Sequence, residues 1–532
     1  MICLLAAVAQ ANIVALIPKL PQPNAAWRVI SIENLDLSKM SQDYGSPHVG
    51  KSVTGKDLSI GGVGFGRGVG THAISEMAID LKGKAKLFTA MVGVDDAAGT
   101  NGSVVFCITV DGKIVARTAV MKGGDKPVLL GAVLDGAKQM VLSVEDAGDN
   151  INFDHADWAD ARIYVGSGVS NADMPVSIPP VQQMPMEIAH VDNTRLSING
   201  PRIIGATPGR PFLFLIPATG IAPLKFSAKD LPAGLTLDEN TGIISGSLVQ
   251  DGTWEVALTV NDAKGSVNRG LTIVGGKDKL ALTPPMGWNS WYCWGREVDQ
   301  QKMEASTDII VKSGLAAHGY QYVNIDDCWE GDRDANGDIT GNQRFPNMKG
   351  LGDYIHSKGL KFGIYSSPGP RTCAGYIGTY QHEVADAKTY AKWGVDFFKY
   401  DWCSYNSIAK DHSLPELQKP LAIMHMALEA SGRDMVYSLC QYGMGRVWEW
   451  GETVGGNMWR TDSDLPDSYS SVLRVGFAHA GREKYVRPGH WNDPDMLCIG
   501  QVGFGNLRPS RLTQNEQITQ MTLWCLIAAP LL

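Results

Sequence analysis

At 532 residues and 44% hydrophobic composition, the chain is long enough for about three domains, each with a core of its own. A net charge of −8, and no Lys/Arg cluster interleaved with aromatics, argue against nucleic acid or another polyanion as the partner. A neutral or small ligand fits better, and the fourteen Trp offer faces on which sugar rings stack, although most Trp are packing residues.

Residues 1–11 read as the remainder of a secretory signal. Ile2 to Val8 is apolar, and Ala9-Gln10-Ala11 has the form of a cleavage site. An exported protein is expected, whether periplasmic, cell-surface or extracellular, and export permits disulfides. No later apolar run reaches the roughly eighteen residues of a membrane helix. Of the nine cysteines, Cys293, Cys328, Cys373, Cys403 and Cys440 crowd one region without a CxxC zinc knuckle, so no metal is expected.

Residues 24–167 alternate short strands with Gly, Asp and Asn turns, which predicts a β-sandwich. Val104 to Val110, Asp111-Gly112 and Lys113 to Ala116 form a hairpin with a type I′ turn signal. Ser177-Ile178-Pro179-Pro180 reads as linker. Residues 186–275 form a smaller β unit, in which Trp254 to Val260 alternates as a half-buried strand does. An immunoglobulin-like spacer is the economical reading.

From residue 280 to 532 the rhythm changes to βα units spaced by roughly 25 to 40 residues, the mark of a (β/α)8 barrel. Strands are predicted at 286–288, 320–325, 361–365, 396–400, 435–439, 457–460 and 490–492. Helices are predicted at 298–313, 350–358, 383–393, 414–430, 446–453, 469–480 and 513–529. An eighth strand would begin only at Pro530-Leu531-Leu532, where the sequence stops. The barrel is therefore expected to be truncated there, with bare strand edges near Met286 and Trp491. Helix 513–529 should then have Leu523, Trp524 and Ile527 uncovered.

Catalytic groups of such barrels project from the C-terminal ends of the strands. Those ends here carry Asp326-Asp327, Tyr365-Ser366, Lys399 with Asp401, Cys440-Gln441, Arg460 with Asp464, and Asp493 with Asp495. Converging carboxylates suit glycoside hydrolysis, which needs one nucleophile and one general acid and base. Asp401 is the better nucleophile, because Lys399 lies two residues earlier on the same strand face and would keep it ionised. Asp464 suits the acid/base role, since the carboxylates of its loop, Asp462 and Asp467, would raise its pKa. On the residues alone Asp462 competes with it.

Several stretches are shared in order and spacing with a known family. They include Pro284-Pro285-Met286-Gly287-Trp288-Asn289-Ser290-Trp291, Asn324-Ile325-Asp326-Asp327-Cys328-Trp329 and Lys399-Tyr400-Asp401-Trp402-Cys403. Trp459-Arg460 and Pro488-Gly489-His490-Trp491-Asn492-Asp493-Pro494-Asp495 continue the match. Residues 282–532 thus resemble the glycoside hydrolase family 27 α-galactosidases, or melibiases, a family that also holds α-N-acetylgalactosaminidases.

The resemblance implies Asp401 as nucleophile and Asp464, rather than Asp462, as acid/base. It further implies Trp291, Asp326, Asp327, Tyr365, Lys399, Gln441, Arg460 and Asp495 as substrate-binding residues, and a disulfide between Cys373 and Cys403. Cys293 is expected to pair with Cys328. The implied reaction releases terminal α-D-galactosyl residues from an oligosaccharide or glycoconjugate by double displacement, without a cofactor. Cys440-Gln441-Tyr442-Gly443 departs from the commoner C-[ES]-W pattern that faces the sugar's C2 substituent. α-N-acetylgalactosaminide or β-L-arabinopyranoside cleavage therefore stays open, as does a carbohydrate-binding protein with an inactive barrel. Phe65 to His72, Val92 to Asp96 and Asp154 to Trp158 resemble an NPCBM domain, and residues 231–246 an Ig-like module. In Asp154 to Trp158, metal or sugar binding competes with buried turn-fixing hydrogen bonds.

Overall fold

The computed structural model describes residues 15–147, 151–179 and 194–532. The expected signal at 1–11 and the first residues of the expected second module lie outside them. Two compact units divide the chain, Met1–Met184 and Pro185–Leu532.

The first unit is two β-sheets face to face. One sheet runs Val128–Val133, Ala85–Val94, His155–Val165, Gly68–His72 and His48–Val49, and the other Lys113–Arg117, Ser103–Val110, Gln139–Glu145, Ser75–Asp80 and Val176–Ile178. Phe88, Phe106 and Trp158 pack between them, the last two edge to face at 5.0 Å. The expected hairpin is present, with Asp111 and Gly112 at φ 45° and 79° as a type I′ turn requires. The linker expectation needs correction: Ser177 and Ile178 belong to a strand paired with Ser75–Asp80, because Ser177 is buried and its hydroxyl donates to the Asp36 carbonyl. In the Asp154 to Trp158 segment, Asp154 accepts from the Ser103 amide at 2.8 Å, and Trp158 is core.

In the second unit, residues 194–275 form a small sandwich. One sheet orders Ile203–Ala206, Gly265–Gly275, Gly252–Asp262 and Lys225–Lys229, and the other Phe212–Leu215, Ile243–Gly246 and Leu235–Leu237. Val256, Leu258 and Val260 alternate inward, as the sequence pattern required. The sandwich is bonded to the barrel by Arg210, which reaches Asp434 at 3.0 Å and the Glu429 carbonyl at 2.8 Å.

The barrel strands are β1 (Gly287–Asn289), β2 (Tyr322–Asn324), β3 (Lys361–Ser366), β4 (Val395–Asp401), β5 (Val436–Cys440), β6 (Met458–Arg460) and β7 (Trp491–Asp493), hydrogen-bonded in that order and all parallel. The outer helices are α1 (Gln300–Lys312), α2 (Met348–Ser357), α3 (Glu383–Trp393), α4 (Leu414–Ala430), α5 (Tyr469–Phe477) and α6 (Gln514–Leu526). Asp299 caps α1, Asn347 caps α2, and Thr513 with Glu516 forms a capping box on α6.

Three expectations are corrected here. The helix predicted at 446–453 is a pair of 3-10 turns, Val447–Glu449 and Gly451–Val454, entered through Arg446 in the left-handed region. The first strand is also not bare: Leu531 bridges Met286, accepts from the Gly287 amide at 2.8 Å and donates to the Pro285 carbonyl at 2.9 Å. Pro530-Leu531-Leu532 thus covers the outer edge of β1, and Leu532 accepts from the Leu497 amide in the loop after β7. Trp524 of α6 is fully buried rather than uncovered, and Leu523 and Ile527 are half-buried; the exposed large apolar side chain of this helix is Leu526, at 76%.

The Trp524 indole donates to the Asp495 carbonyl at 2.7 Å, so α6 supports a strand-end loop. Trp524→Ala should therefore cost about 3–5 kcal/mol. Denaturant unfolding of the variant would measure the loss, and a cost below about 1 kcal/mol would show that this packing is dispensable.

Candidate active site

The parallel register sets Tyr365 beside Lys399, Lys399 beside Ser438, Asp401 beside Cys440, and Arg460 beside Asp493. Because strand side chains alternate, Lys399 and Asp401 leave β4 on one face. The Lys399 ammonium lies 2.9 Å from Asp326 and 3.9 Å from Asp401, and 5.2 Å from the centre of the Tyr365 ring. Asn289, at the end of β1, adds a second donor to the same Asp326 oxygen at 2.9 Å, and its carbonyl accepts from the Trp291 amide at 2.8 Å. Asp327 accepts from Cys328 and Ala374, both at 2.7 Å, so the loop after β3 is hung on it.

That loop is closed by a disulfide between Cys373 and Cys403, with Cα atoms 4.9 Å apart, inside the ordinary range for such a bond. The Asp401 carboxylate is within 4.8 Å of both sulfurs. These three residues are the grouping of metal-competent side chains found among the described residues, but the sulfurs are bonded to each other. The Tyr365 hydroxyl is 3.4 Å from Cys403 Sγ, and Tyr365 is buried.

On the opposite side, Arg460 pairs with Asp495 at 2.7 Å and with Asp464 at 3.0 Å. Asp495 also accepts from the Leu465 amide at 2.8 Å and the Tyr292 hydroxyl at 3.2 Å, which fixes the loop carrying Asp464. The two candidate catalytic carboxylates sit in opposite surroundings. The Asp464 side chain is 74% exposed, whereas that of Asp401 is 9% exposed, yet each lies in the other's field. Burial pushes the Asp401 carboxyl up to about 6; Lys399 and a hydrogen bond from Tyr442 pull it down, while Asp464 and Asp326 push it further up. Gln441 is fully buried, and neither atom of its amide meets a hydrogen-bond partner among the described residues.

With this geometry established, the chain can be set beside known proteins. The family model described as alpha galactosidase A matches residues 283–532, the NPCBM/NEW2 domain model matches 28–164, and an Ig domain model matches 196–274. A crystal structure of a protein from Bacteroides fragilis, described as a putative α-galactosidase, is 38% identical, with a TM-score of 0.61, over 65% of this chain and 74% of its own. This chain belongs to the melibiases, glycoside hydrolase family 27. α-Galactosidase A of Cellvibrio japonicus is 44% identical over 48% of this chain and 62% of its own length. The α-galactosidase of Cyamopsis tetragonoloba is 41% identical over 48% of this chain and 59% of its own. The chain thus spans about three fifths of these curated relatives.

Among melibiase features expected from the sequence, the structure brings Asp326, Asp327, Tyr365, Lys399, Asp401, Gln441, Arg460, Asp464 and Asp495 to one end of the barrel, with Trp291 joined to them through Asn289. Three expectations are corrected. Cys293 and Cys328 are free thiols: Cys328 is buried in the core, and Cys293 Sγ contacts the Gln501 carbonyl instead. Lys399 is bonded more closely to Asp326 than to Asp401, and it does not outweigh the burial of Asp401. The acidic residues flanking Asp464 do not crowd it, for Asp462 pairs with Arg474 at 2.9 Å and Asp467 with Arg508 and Arg511, both at 2.7 Å.

Sequence reasoning also missed four contributors. Asn289 and Tyr292 are bonded to Asp326 and Asp495 as described. The Tyr442 hydroxyl donates to Asp401. Glu330, fully buried beside Asp327, has its carboxyl driven well above the usual range by desolvation. Asn289 and Glu330 sat next to recognised motifs and were legible there by position, whereas the Tyr442 bond crosses between strands and needed the fold.

Non-reducing peptide mapping should recover Cys373 and Cys403 as one linked pair, with Cys293 and Cys328 unlinked. A Cys293–Cys328 peptide would contradict the structure. The two arginines hold Asp467 down at about 2. That stability is complete above the unfolded carboxyl value of about 3.9 and is lost as pH falls through about 2. Asp467→Asn should accordingly destabilise the protein at pH 7, and the difference in unfolding free energy should vanish towards pH 2.

Proposed function

We propose that this chain is a retaining α-D-galactosidase, with Asp401 as nucleophile and Asp464 as general acid and base. The observation that carries the reading is the pairing of unlike carboxylates across one site: Asp401 is buried and gripped, whereas Asp464 is exposed, where a leaving group and water can reach it. Asp401 attacks the anomeric carbon while Asp464 protonates the departing oxygen. Asp464 then takes a proton from the water that displaces Asp401, and two inversions give retention.

The substrate class follows from the balance of donors and acceptors. Asp326, Asp327, Asp401, Asp493, Asp495 and Glu330 are buried, while the cations among them are Arg460, also buried, and Lys399, whose side chain is 13% exposed. Such a surplus of acceptors suits a polyol, whose hydroxyls donate. Asp326 and Asp327 bind sugar hydroxyls, with Lys399, Gln441 and Arg460 as donors. Trp291 and Tyr365 form aromatic walls, and Asp495 fixes Arg460 at the pocket base. The likeness to the Cellvibrio and Cyamopsis α-galactosidases supports galactose as the sugar. Export is part of the proposal, supported by the Cys373–Cys403 disulfide, which persists in an oxidising compartment.

Asp401→Asn should abolish turnover of every α-galactoside, whatever its leaving group. Asp464→Asn should lose about 10²–10⁴-fold on unactivated substrates but keep most of its glycosylation rate with a dinitrophenolate leaving group. Azide should rescue it and yield a galactosyl azide of retained configuration. An inverted sugar released by the unmodified protein would rule out double displacement.

A further inference from the structure

We infer that Tyr442 is a positioning residue for the nucleophile: its hydroxyl holds one oxygen of Asp401, leaves the other to attack, and stabilises the carboxylate as it departs in the second half of the reaction. The inference rests on the reading of Asp401 just given, and it concerns a residue to which neither the resemblance nor the comparisons give a role.

The placement is built into the backbone. Immediately after β5 the chain turns through Tyr442 and Gly443, at φ 59° and 81°. An aromatic residue in the left-handed region is strained, and such strain persists where the surroundings enforce it, commonly at functional sites. Gly443 cannot be replaced without strain, since a Cβ there would run into the Thr461 carbonyl. The turn swings the Tyr442 ring across β4, so that its hydroxyl donates to Asp401 Oδ1 and lies 3.7 Å from each sulfur of the Cys373–Cys403 bridge.

The other oxygen, Oδ2, faces the Lys399 ammonium at 3.9 Å, beyond hydrogen-bond length. The two oxygens are therefore distinct: Oδ1 is pinned and Oδ2 is free. The remaining groups around Asp401 are Asp326 from the loop after β2, Tyr365 from β3, Cys440 from β5 and Asp464 from the loop after β6. Among the described residues around Asp401, it is Tyr442 that donates a hydrogen bond to its carboxylate. Burial first, and then the Asp401 charge, push the Tyr442 hydroxyl far above its ordinary range, so that it stays protonated as a donor.

The consequence for the reaction can be written with its atoms balanced. In the first step the Oδ2–C1 bond forms, the C1–leaving oxygen bond breaks, and the Asp464 proton goes to that oxygen. Oδ1 becomes an ester carbonyl, which accepts a weaker bond from Tyr442 than a carboxylate does. In the second step water attacks C1, its proton passes to Asp464, and the C1–Oδ2 electron pair returns to Asp401. Charge reappears on the carboxylate, and the Tyr442 bond strengthens with it. The hydroxyl thus assists release more than formation of the intermediate.

Tyr442→Phe in the full chain removes the hydroxyl and keeps the ring. With a dinitrophenyl α-galactoside, kcat should fall about 10–100-fold, the worth of a hydrogen bond to a charged group. KM should fall with it, and a pre-steady-state burst should show the intermediate accumulating. The bond favours the ionised carboxylate, so its loss should move the acidic limb of kcat/KM to higher pH. An unmoved limb together with an unchanged KM would overturn the inference.

Carbon-13 titration of the Asp401 carboxyl, in unmodified and Tyr442→Phe protein without substrate, tests the same bond independently of turnover. A higher titration midpoint in the variant supports the inference even if α-galactosides are not cleaved, in which case the proposed function fails alone. Identical midpoints overturn it. Should the variant not fold, an exchange-protected Tyr442 hydroxyl proton in the unmodified protein, absent from Asp401→Asn, decides the matter the same way.

Discussion

Two cations govern this site. Lys399 and Arg460, with side chains 13% and 4% exposed, stand among carboxylates that the barrel takes out of water. Desolvating a carboxylate without a partner costs several kcal/mol, and each cation meets two acidic side chains, Asp326 with Asp401 and Asp495 with Asp464. What the cations leave uncompensated shows in the carboxyls of Asp327, Asp493 and Glu330, which burial drives upward. The site is therefore rich in acceptors and short of donors, the balance on which the proposed polyol substrate rests.

The rest of the molecule keeps those groups in place. Parallel register points Lys399 of β4 and Arg460 of β6, with β5 between them, out of the same end of the sheet, which a slip by one residue would reverse. The loops that carry the proposed catalytic carboxylates are then tied to neighbours: the disulfide closes the loop beside Asp401, the Asp467–arginine cluster and Tyr292 hold the loop of Asp464, and Trp524 supports Asp495. Pre-organised groups of this kind need no rearrangement as charge develops, which is where most electrostatic catalysis originates.

Much of this was legible in the sequence because the barrel writes its chemistry at regular places. A polar residue ending an apolar strand gave Asp326, Lys399, Asp401 and Arg460, and helices α3 and α4 matched their predicted spans because their periodicity is long and their ends are marked. Short strands were less exact: β1 is Gly287–Asn289 rather than 286–288, since pairing with β2 and Leu531 sets its bounds. The helix predicted at 446–453 failed because glycine conformations and packing against Trp459 outweighed local propensity. Cys293 and Cys328 show the limit of spacing, which carries no direction for a thiol. Charge pairing was also hidden: three acidic residues at 462, 464 and 467 look like mutual repulsion in sequence, but each meets its own arginine in space.

The account turns on Asp401 forming a covalent bond to the sugar. A slowly released fluorinated α-galactosyl donor, followed by proteolysis and mass spectrometry, tests that bond directly. The account predicts one galactosyl adduct, on the peptide that contains Asp401 and on that side chain. An adduct on another carboxylate, or turnover of the donor with no covalent species at any time, would contradict it.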